Sequence, residues 1–466
     1  MGSLHEECGV LGIFRQAHAD VAHDIYYGLT ALQHRGQEAA GIAVCDTMGE
    51  RGNICLHKNM GLVSEVFNEE TLAGMKGNVG IGHVRYSTSG GSVTENVQPL
   101  SYHYLKGTLA IVHNGNIVNA GQLKEEMMKE GEVFRATSDT EVIAMRIARM
   151  RAHTSCIEEA VKEVTKELLG GYALLVMSPR KLVAIRDPLG LKPLCIGKIP
   201  DGYVLASESC ALSAVDAEFV RDVKPGEIIT IRGGKLFSDE TLCNNTLCNG
   251  SQAHCVFEYI YFARLDSVLD GISVYSARFQ AGRMLAKSGP AEADLVTGVP
   301  ESGLTAAAGF ADASGIPFMH AFHKNSYVGR TFIKPTQQER QTGVHMKLNV
   351  ITEVVKGKRI VLIDDSIVRG TTIANLITML RKAGAQAVHV RISSPPFLYP
   401  CYYGTDVPDS TQLIAKQFSI EEIRKKIGAD SLAYLRIEDL KKTTGDLPVC
   451  SACFDGKYPT ETYDAK

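Results

Sequence analysis

Two hydrophobic patterns divide this chain. From Cys8 the run Cys-Gly-Val-Leu-Gly-Ile-Phe is apolar and strand-like, and residues 22–33 carry an apolar stripe at helical spacing that ends near Gly36. Short apolar runs of strand length recur at 41–45, 79–85, 109–113, 173–177 and 182–186, with helical patterns at 140–150 and 157–169 between them. Strands grouped before and after helices predict a layered α+β domain rather than strict alternation. Past residue 250 the order changes. A helix over 276–287 leads to a strand over 293–299, a helix over 302–314 and a short strand around 316–321. A buried strand running in from Arg359, a helix over 373–382 and a strand over 386–392 give the alternation of a parallel sheet. Two short helices, 419–426 and 431–441, and a loop with Cys450 and Cys453 close the chain. The Asn-rich stretch 243–250 ends in a glycine and marks the boundary between two domains of similar size.

Composition narrows the class. With 466 residues, each domain is long enough to bury its own core. Apolar residues are 45% and charged residues 22%, an ordinary balance for a soluble globular enzyme. A net charge of −3 with no basic stripe argues against a nucleic-acid partner. No apolar run is long enough to span a bilayer, so no membrane partner is expected. The first seven residues are acidic and lack an apolar centre, so they read as a leader before Cys8 and not as a secretion signal. Twelve cysteines without such a signal predict thiols or metal ligands in a reducing cytoplasm.

Candidate chemistry is densest at Val361-Leu362-Ile363-Asp364-Asp365-Ser366-Ile367-Val368-Arg369-Gly370-Thr371-Thr372. Two carboxylates sit at the carboxyl end of a buried strand, where open α/β sheets bind ligands. A loop of small residues then opens a helix and offers N–H groups and a dipole to a phosphate. No Lys follows Gly370, so the Walker pattern does not apply. The acid pair suits the vicinal hydroxyls of a sugar, or a magnesium ion, beside that phosphate. An Asp-Asp pair alone would more often cap a turn; the ordered set is what carries chemistry. It resembles the phosphoribosyltransferases that use phosphoribosyl pyrophosphate. The resemblance implies that Asp364 and Asp365 face ribose and magnesium, and that Ser366, Arg369, Gly370, Thr371 and Thr372 lie on the 5-phosphate side. Residues 298–303 form another loop that opens a helix, and would receive pyrophosphate through Glu301 and Ser302, with Ser302 also near the metal. A plain N-cap at Ser302 is compatible with that role. Arg330, Lys334, Arg340 and Lys347 punctuate a polar stretch that suits either a solvated loop or a lid over a polyphosphate.

In the first domain Cys8 precedes Gly9, and removal of the leader would give its thiol an α-amine as base, with an unperturbed pKa of about 7.7–8.0. A small buried cysteine is the commoner fate of such a residue. Three further segments shift the balance. Arg85, at the end of a strand, has a fork that grips a carboxylate. Asn114 and Gly115 could supply an oxyanion hole, although Asn-Gly alone is a hairpin signal. Ser138 and Glu141 have capping-box spacing, and Asp139 between them is free to meet an ammonium group. His83 reads as a packed strand histidine. Cys8-Gly9-Val10, Gln33-His34-Arg35-Gly36-Gln37, residues 82–88, His113-Asn114-Gly115 and Ser138-Asp139-Thr140 resemble the N-terminal-nucleophile glutaminases. That resemblance implies a glutamyl thioester on Cys8, an oxyanion held by Asn114 and Gly115, and glutamine gripped by Arg85 and Asp139.

Joined, the two halves are similar to the glutamine phosphoribosylpyrophosphate amidotransferases from Cys8 to the C-terminus. The resemblance implies a propeptide over 1–7 and a four-layer αββα glutaminase domain over 8–242. A type I phosphoribosyltransferase α/β domain with a parallel sheet follows over 251–441, then a C-terminal segment over 442–466. It further implies ammonia transfer to phosphoribosyl pyrophosphate at the first step of de novo purine synthesis, with Mg2+. Feedback inhibition by purine nucleotides and a homodimer or homotetramer are also implied. The aromatic stretch from Glu258 to Arg264 would pack a core and could line the ammonia channel. Cys450-x-x-Cys453 is weak alone as a metal signal. Likeness to the cluster-bearing branch at His254-Cys255-Val256 and Pro400-Cys401-Tyr402 implies a [4Fe–4S] cluster on Cys255, Cys401, Cys450 and Cys453, with structural zinc the alternative. Cys243 and Cys248 are set aside as linker residues. A purine-sensing DNA-binding regulator and a salvage phosphoribosyltransferase are the rival readings; the net charge of −3 and the intact glutaminase set argue against the first, and the second has no use for Cys8, Arg85 and Asp139.

Overall fold

The computed structural model describes residues 8–16, 19–49, 53–86, 93–243, 252–325, 348–405 and 410–461. The leader, Ser87 and Thr88, Cys248 and the basic stretch from Arg330 to Lys347 lie outside the described residues. Along Gly9–Arg15 the side chains alternate between two cores, Val10 and Phe14 facing one and Leu11 and Ile13 the other. Both faces of this sheet are covered, which is why the strand reads as continuous apolar sequence. It lies in a seven-stranded antiparallel sheet, beside Val79–Arg85 on one side and Gly202–Ala206 on the other. A six-stranded antiparallel sheet built around Gly107–Ile117 and Gly170–Ser178 packs against it through Val10, Ile81, Val112, Ala173 and Leu175. Helix Ala22–Ala31 covers the outer face of the first sheet, and Asp139–His153 and Ile157–Thr165 cover that of the second. The expected four layers are all present.

The second half has a parallel sheet in the order Leu295–Gly298, Arg359–Asp364, Ala387–Ile392, Ser431–Tyr434. Val274–Ser288 and Leu304–Ser314 cover one face, and Thr371–Lys382 and Ile420–Ile427 the other. Two expectations fail here. The helix read over 431–441 is a strand, Ser431–Tyr434, followed by the helix Ile437–Thr443. Pairing with Ala387–Ile392 decides it: the amides of Asp430 and Leu435 donate to the carbonyls of Val388 and Ile392, and a sheet edge overrides local helical spacing. The strand read around 316–321 contributes only a bridge from Phe318 to Val296, and regular pairing begins at Phe322–Lys324.

At the junction His254–Cys255 pairs parallel with Val449–Cys450, which brings the tail back between the domains. Glu258–Phe262 forms a π-helical turn there. Buried Arg278 holds it by donating to the carbonyls of Tyr259, Tyr261 and Ala263 at 2.7–2.9 Å. Among the described residues no helix is long and apolar enough to cross a membrane.

Candidate functional site

Period-two alternation aims the first site. Val10, Ile81 and Val112 face the space between the two sheets, so Cys8, Arg85 and Asn114, each an even number of residues away, belong to the same inner faces. Register brings their ends together. Gly9 pairs with Val84, and the imidazole of His83 approaches the His113 carbonyl at 3.1 Å across the gap. A Cβ on Gly9 would sit 2.9 Å from the Val84 side chain, and one on Gly36 2.6 Å from the Val84 backbone. The Gln33–Gly36 turn therefore seats against the strand that carries Arg85. From that turn, Arg35 donates to the Cys8 carbonyl at 3.1 Å, and the Cys8 thiol lies 3.5 Å from the Tyr86 carbonyl.

Asn114 and Gly115 do not form a hairpin turn; they lie within the strand Gly107–Ile117. Gly115 has φ of 138°, and a Cβ there would meet the Gly171 carbonyl at 2.0 Å. Only glycine fits. Asn114 is buried, and neither atom of its amide meets a hydrogen-bond partner among the described residues. Asp139 begins its helix next to the N-cap Ser138, whose hydroxyl accepts from the Thr140 amide. The expected reciprocal box does not close. Glu141 reaches past the cap to the amides of Arg135 and Ala136, because the incoming chain folds over the helix end. Burial pushes the Asp139 carboxyl up, but His113 at 3.5 Å and the Ile117 amide outweigh it and hold the group below its ordinary value. His83 is fully buried beside Arg85; burial and that charge push its imidazole down to about 3, so it stays neutral.

The second site is a cavity of about 150 Å³ at the carboxyl end of Arg359–Asp364, lined by Tyr261, Ser302, Asp364, Asp365 and the loop from Ser366 to Thr372. Gly370 takes φ of 81° and turns the loop into the helix Thr371–Lys382, so the helix N-terminus faces the cavity. Burial and the neighbouring Asp365 push the Asp364 carboxyl well up. Two acids this close call for a cation or a hydroxyl-bearing ligand. Of the residues expected here, Glu301 is not brought in: it is exposed and paired with Lys324 at 3.0 Å.

Sequence reasoning missed what joins the sites. Arg35 is buried and forks onto Glu208 and, at 2.6 and 2.9 Å, onto Glu258. Glu258 opens the π-helical turn, and Tyr261 in that turn lines the second cavity. Aromatic spacing flagged this segment but gave Glu258 and Tyr261 no individual role.

A third cavity lies at the junction, lined by Cys255, Cys401, Cys450 and Cys453 with Phe257, Phe397, Leu191 and Lys192. Burial pushes Cys450 up to about 12, and burial followed by Cys401, Cys450 and Cys255 pushes Cys453 well above its ordinary value. Burial and the neighbouring thiols oppose ionisation of Cys450 and Cys453, which a cationic metal centre would relieve. Among the described residues no three His, Cys, Asp or Glu side chains are gathered closely enough to hold a single metal ion.

Known proteins match both halves. The model of the glutamine amidotransferase domain matches residues 83–214. An amidophosphoribosyltransferase of Methanocaldococcus jannaschii is 48% identical over 97% of this chain and 98% of its own length. That of Bacillus subtilis is 48% identical over 99% and 95%. The solved B. subtilis glutamine phosphoribosylpyrophosphate amidotransferase, complexed with ADP and GMP, superposes with a TM-score of 0.89 at 47% identity over 98% of both chains.

Proposed function

Because the chain belongs to the amidophosphoribosyltransferase family, we propose a division of labour among its residues in moving the amide nitrogen of glutamine to phosphoribosyl pyrophosphate. The products are 5-phosphoribosylamine, glutamate and pyrophosphate, at the first step of de novo purine synthesis. Removal of residues 1–7 frees the Cys8 amine, which takes the thiol proton as the sulfur attacks the glutamine amide carbon. The unpaired Asn114 amide and the Gly115 N–H receive the oxyanion. Arg85 meets the substrate carboxylate and Asp139, held ionised, its ammonium group. Ammonia leaves, and water then releases glutamate from the thioester. Along the π-helical turn the ammonia reaches C1 of the activated ribose and displaces pyrophosphate.

In the second site the helix N-terminus and the loop from Ser366 to Thr372 bind the 5-phosphate, and Asp364 and Asp365 hold the ribose hydroxyls. Mg2+, held by Asp364, Asp365 and Ser302, would neutralise charge on the departing diphosphate. The B. subtilis relative was solved with ADP and GMP; a purine nucleotide's own ribose phosphate suits the same loop and would compete for it. Cys255, Cys401, Cys450 and Cys453 would hold a [4Fe–4S] cluster that ties the tail to the junction.

The carrying observation is the buried chain of contacts from Cys8 through Arg35 and Glu258 to the turn that places Tyr261 against the second cavity. The test is glutamate release by anaerobically purified, processed protein with and without phosphoribosyl pyrophosphate. Release stimulated by that substrate and abolished in Cys8→Ala is expected. Release indifferent to it would leave two uncoupled domains.

A further inference from the structure

We propose that Tyr402, Tyr403 and Gly404, from the second half of the chain, form a positioning element for the hydrolytic site of the first. They hold the peptide of Gly115, and the inference rests on the oxyanion role proposed for Asn114 and Gly115. Two residues beyond Asn114, Asn116 belongs to the same face of its strand. Its side-chain amide reaches out of the sheet and donates to the Tyr402 carbonyl at 2.8 Å, across 286 residues of sequence. Gly404 is buried and lies directly on the neighbouring peptide. A Cβ there would sit 3.0 Å from the carbonyl carbon of Gly115, 3.2 Å from its Cα and 3.3 Å from the Asn116 nitrogen. The two backbones are therefore in contact.

This end of the strand has little else to hold it. Asn116 and Ile117 pair with Gly171 and Gly170, which offer no side chains to pack against. On the other edge, the ladder with Leu100–Tyr104 ends at Ile111, short of Asn114. Glycine backbone is the least restrained of all, so the contact with residues 402–404 is what fixes Gly115 in place. That segment is itself braced from behind by the C-terminal tail. The Tyr403 hydroxyl accepts from the Thr460 amide at 3.2 Å and lies 2.9 Å from the Thr460 hydroxyl. The Tyr458 hydroxyl donates to the Pro400 carbonyl at 2.7 Å, and its ring packs on Tyr402 with 5.0 Å between centroids. An oxyanion donor works only when it is aimed at the place where charge develops. Part of the chain that contributes no atom to the hydrolysis thus sets how well it runs.

The test measures glutamine hydrolysis and ammonia-dependent synthesis by the full processed chain, purified without oxygen, and by four variants. Gly404→Ala sets a methyl group against Gly115, and Asn116→Leu keeps the bulk of the side chain but removes its bond to Tyr402. Gly315 has φ of 73°, and a Cβ there would meet nothing within 4 Å, so Gly315→Ala carries backbone strain alone. Asn114→Ala reports on the oxyanion reading itself. In Gly404→Ala the kcat for glutamine should fall about ten- to hundredfold, and in Asn116→Leu severalfold. The KM for glutamine should stay within about twofold, because the grip assigned to Arg85 and Asp139 is untouched. Ammonia-dependent synthesis should be unchanged, and Gly315→Ala should match wild type in both reactions. That split in either Gly404→Ala or Asn116→Leu supports the inference. Wild-type kcat in both overturns it, as does a fall that the ammonia-dependent rate shares or that a rise in KM accompanies. If Gly404→Ala does not fold, Asn116→Leu decides alone. If Asn114→Ala hydrolyses glutamine at the wild-type rate, the oxyanion reading falls and this inference with it.

Discussion

A buried polar group left without a partner costs about 1–3 kcal/mol, and the Asn114 amide has two such atoms among the described residues. In the proposed role, that cost is returned when an oxyanion arrives. Asn114→Ala should therefore lower kcat for glutamine hydrolysis by about 10²–10³-fold, with ammonia-dependent synthesis unchanged and no loss of Tm. Steady-state rates with glutamine and with ammonium ion separate the two, and an equal fall in both would remove Asn114 from the oxyanion role. Asp364 makes the opposite trade. Its carboxyl is raised by burial and by Asp365, so its contribution to stability is complete below the unfolded value of about 3.9 and is lost as pH rises through the folded value. Asp364→Asn should melt above wild type at neutral pH, by roughly 2–4 °C per kcal/mol regained, and transfer no nitrogen. Melting curves across pH without ligand check this; identical curves would show that the pair is not strained. Cys8, Arg85 and Asp139 each stand in a short ordered motif, which is why the sequence singles them out. Arg35 stands in such a motif too, but its bridging contacts were out of reach, since its carboxylates lie 173 and 223 residues away.

Elements buried on both faces were the easiest to read. The run over 79–85 is a strand with those bounds, and its pattern is buried throughout. Edge strands such as Ile54–Met60 and Leu100–Tyr104 escaped, because half-exposed His, Lys and Tyr positions blur the apolar signal. Asn114-Gly115 shows how a strong local signal loses to its surroundings. The dipeptide favours a two-residue turn, yet pairing of His113 with Leu174 and of Gly115 with Tyr172 runs the strand straight through. The glycine is kept for closeness to Gly171 and for its positive φ, not for a turn. Gly115→Ala should therefore disrupt the strand pair and lower Tm by several degrees, a strain of about 1–3 kcal/mol. A melting temperature equal to wild type would mean the strands can part at no cost.

Between the domains, the molecule places the Arg35 guanidinium where two carboxylates and the Cys8 carbonyl meet. Glu208 comes from the first half and Glu258 from the start of the turn that leads to the second. Removing one partner of such a buried set costs about 3–5 kcal/mol, so any shift of the turn on filling of the second cavity would be felt at Cys8 through Arg35. Scattered across more than two hundred residues, neither this set nor the four-cysteine cavity could be assembled from spacing; only family likeness joined the cysteines. Glu258→Gln keeps the shape of the contact and one acceptor while removing its charge. It should lose most of the stimulation of glutamine hydrolysis by phosphoribosyl pyrophosphate, and keep ammonia-dependent synthesis within a few-fold. Glutamate release measured with and without that substrate, beside the ammonia rate, tells the outcomes apart. Stimulation that survives in a folded Glu258→Gln protein would mean that the signal crosses the junction elsewhere, with the aromatic packing of Phe257, Tyr261 and Phe397 as the remaining route.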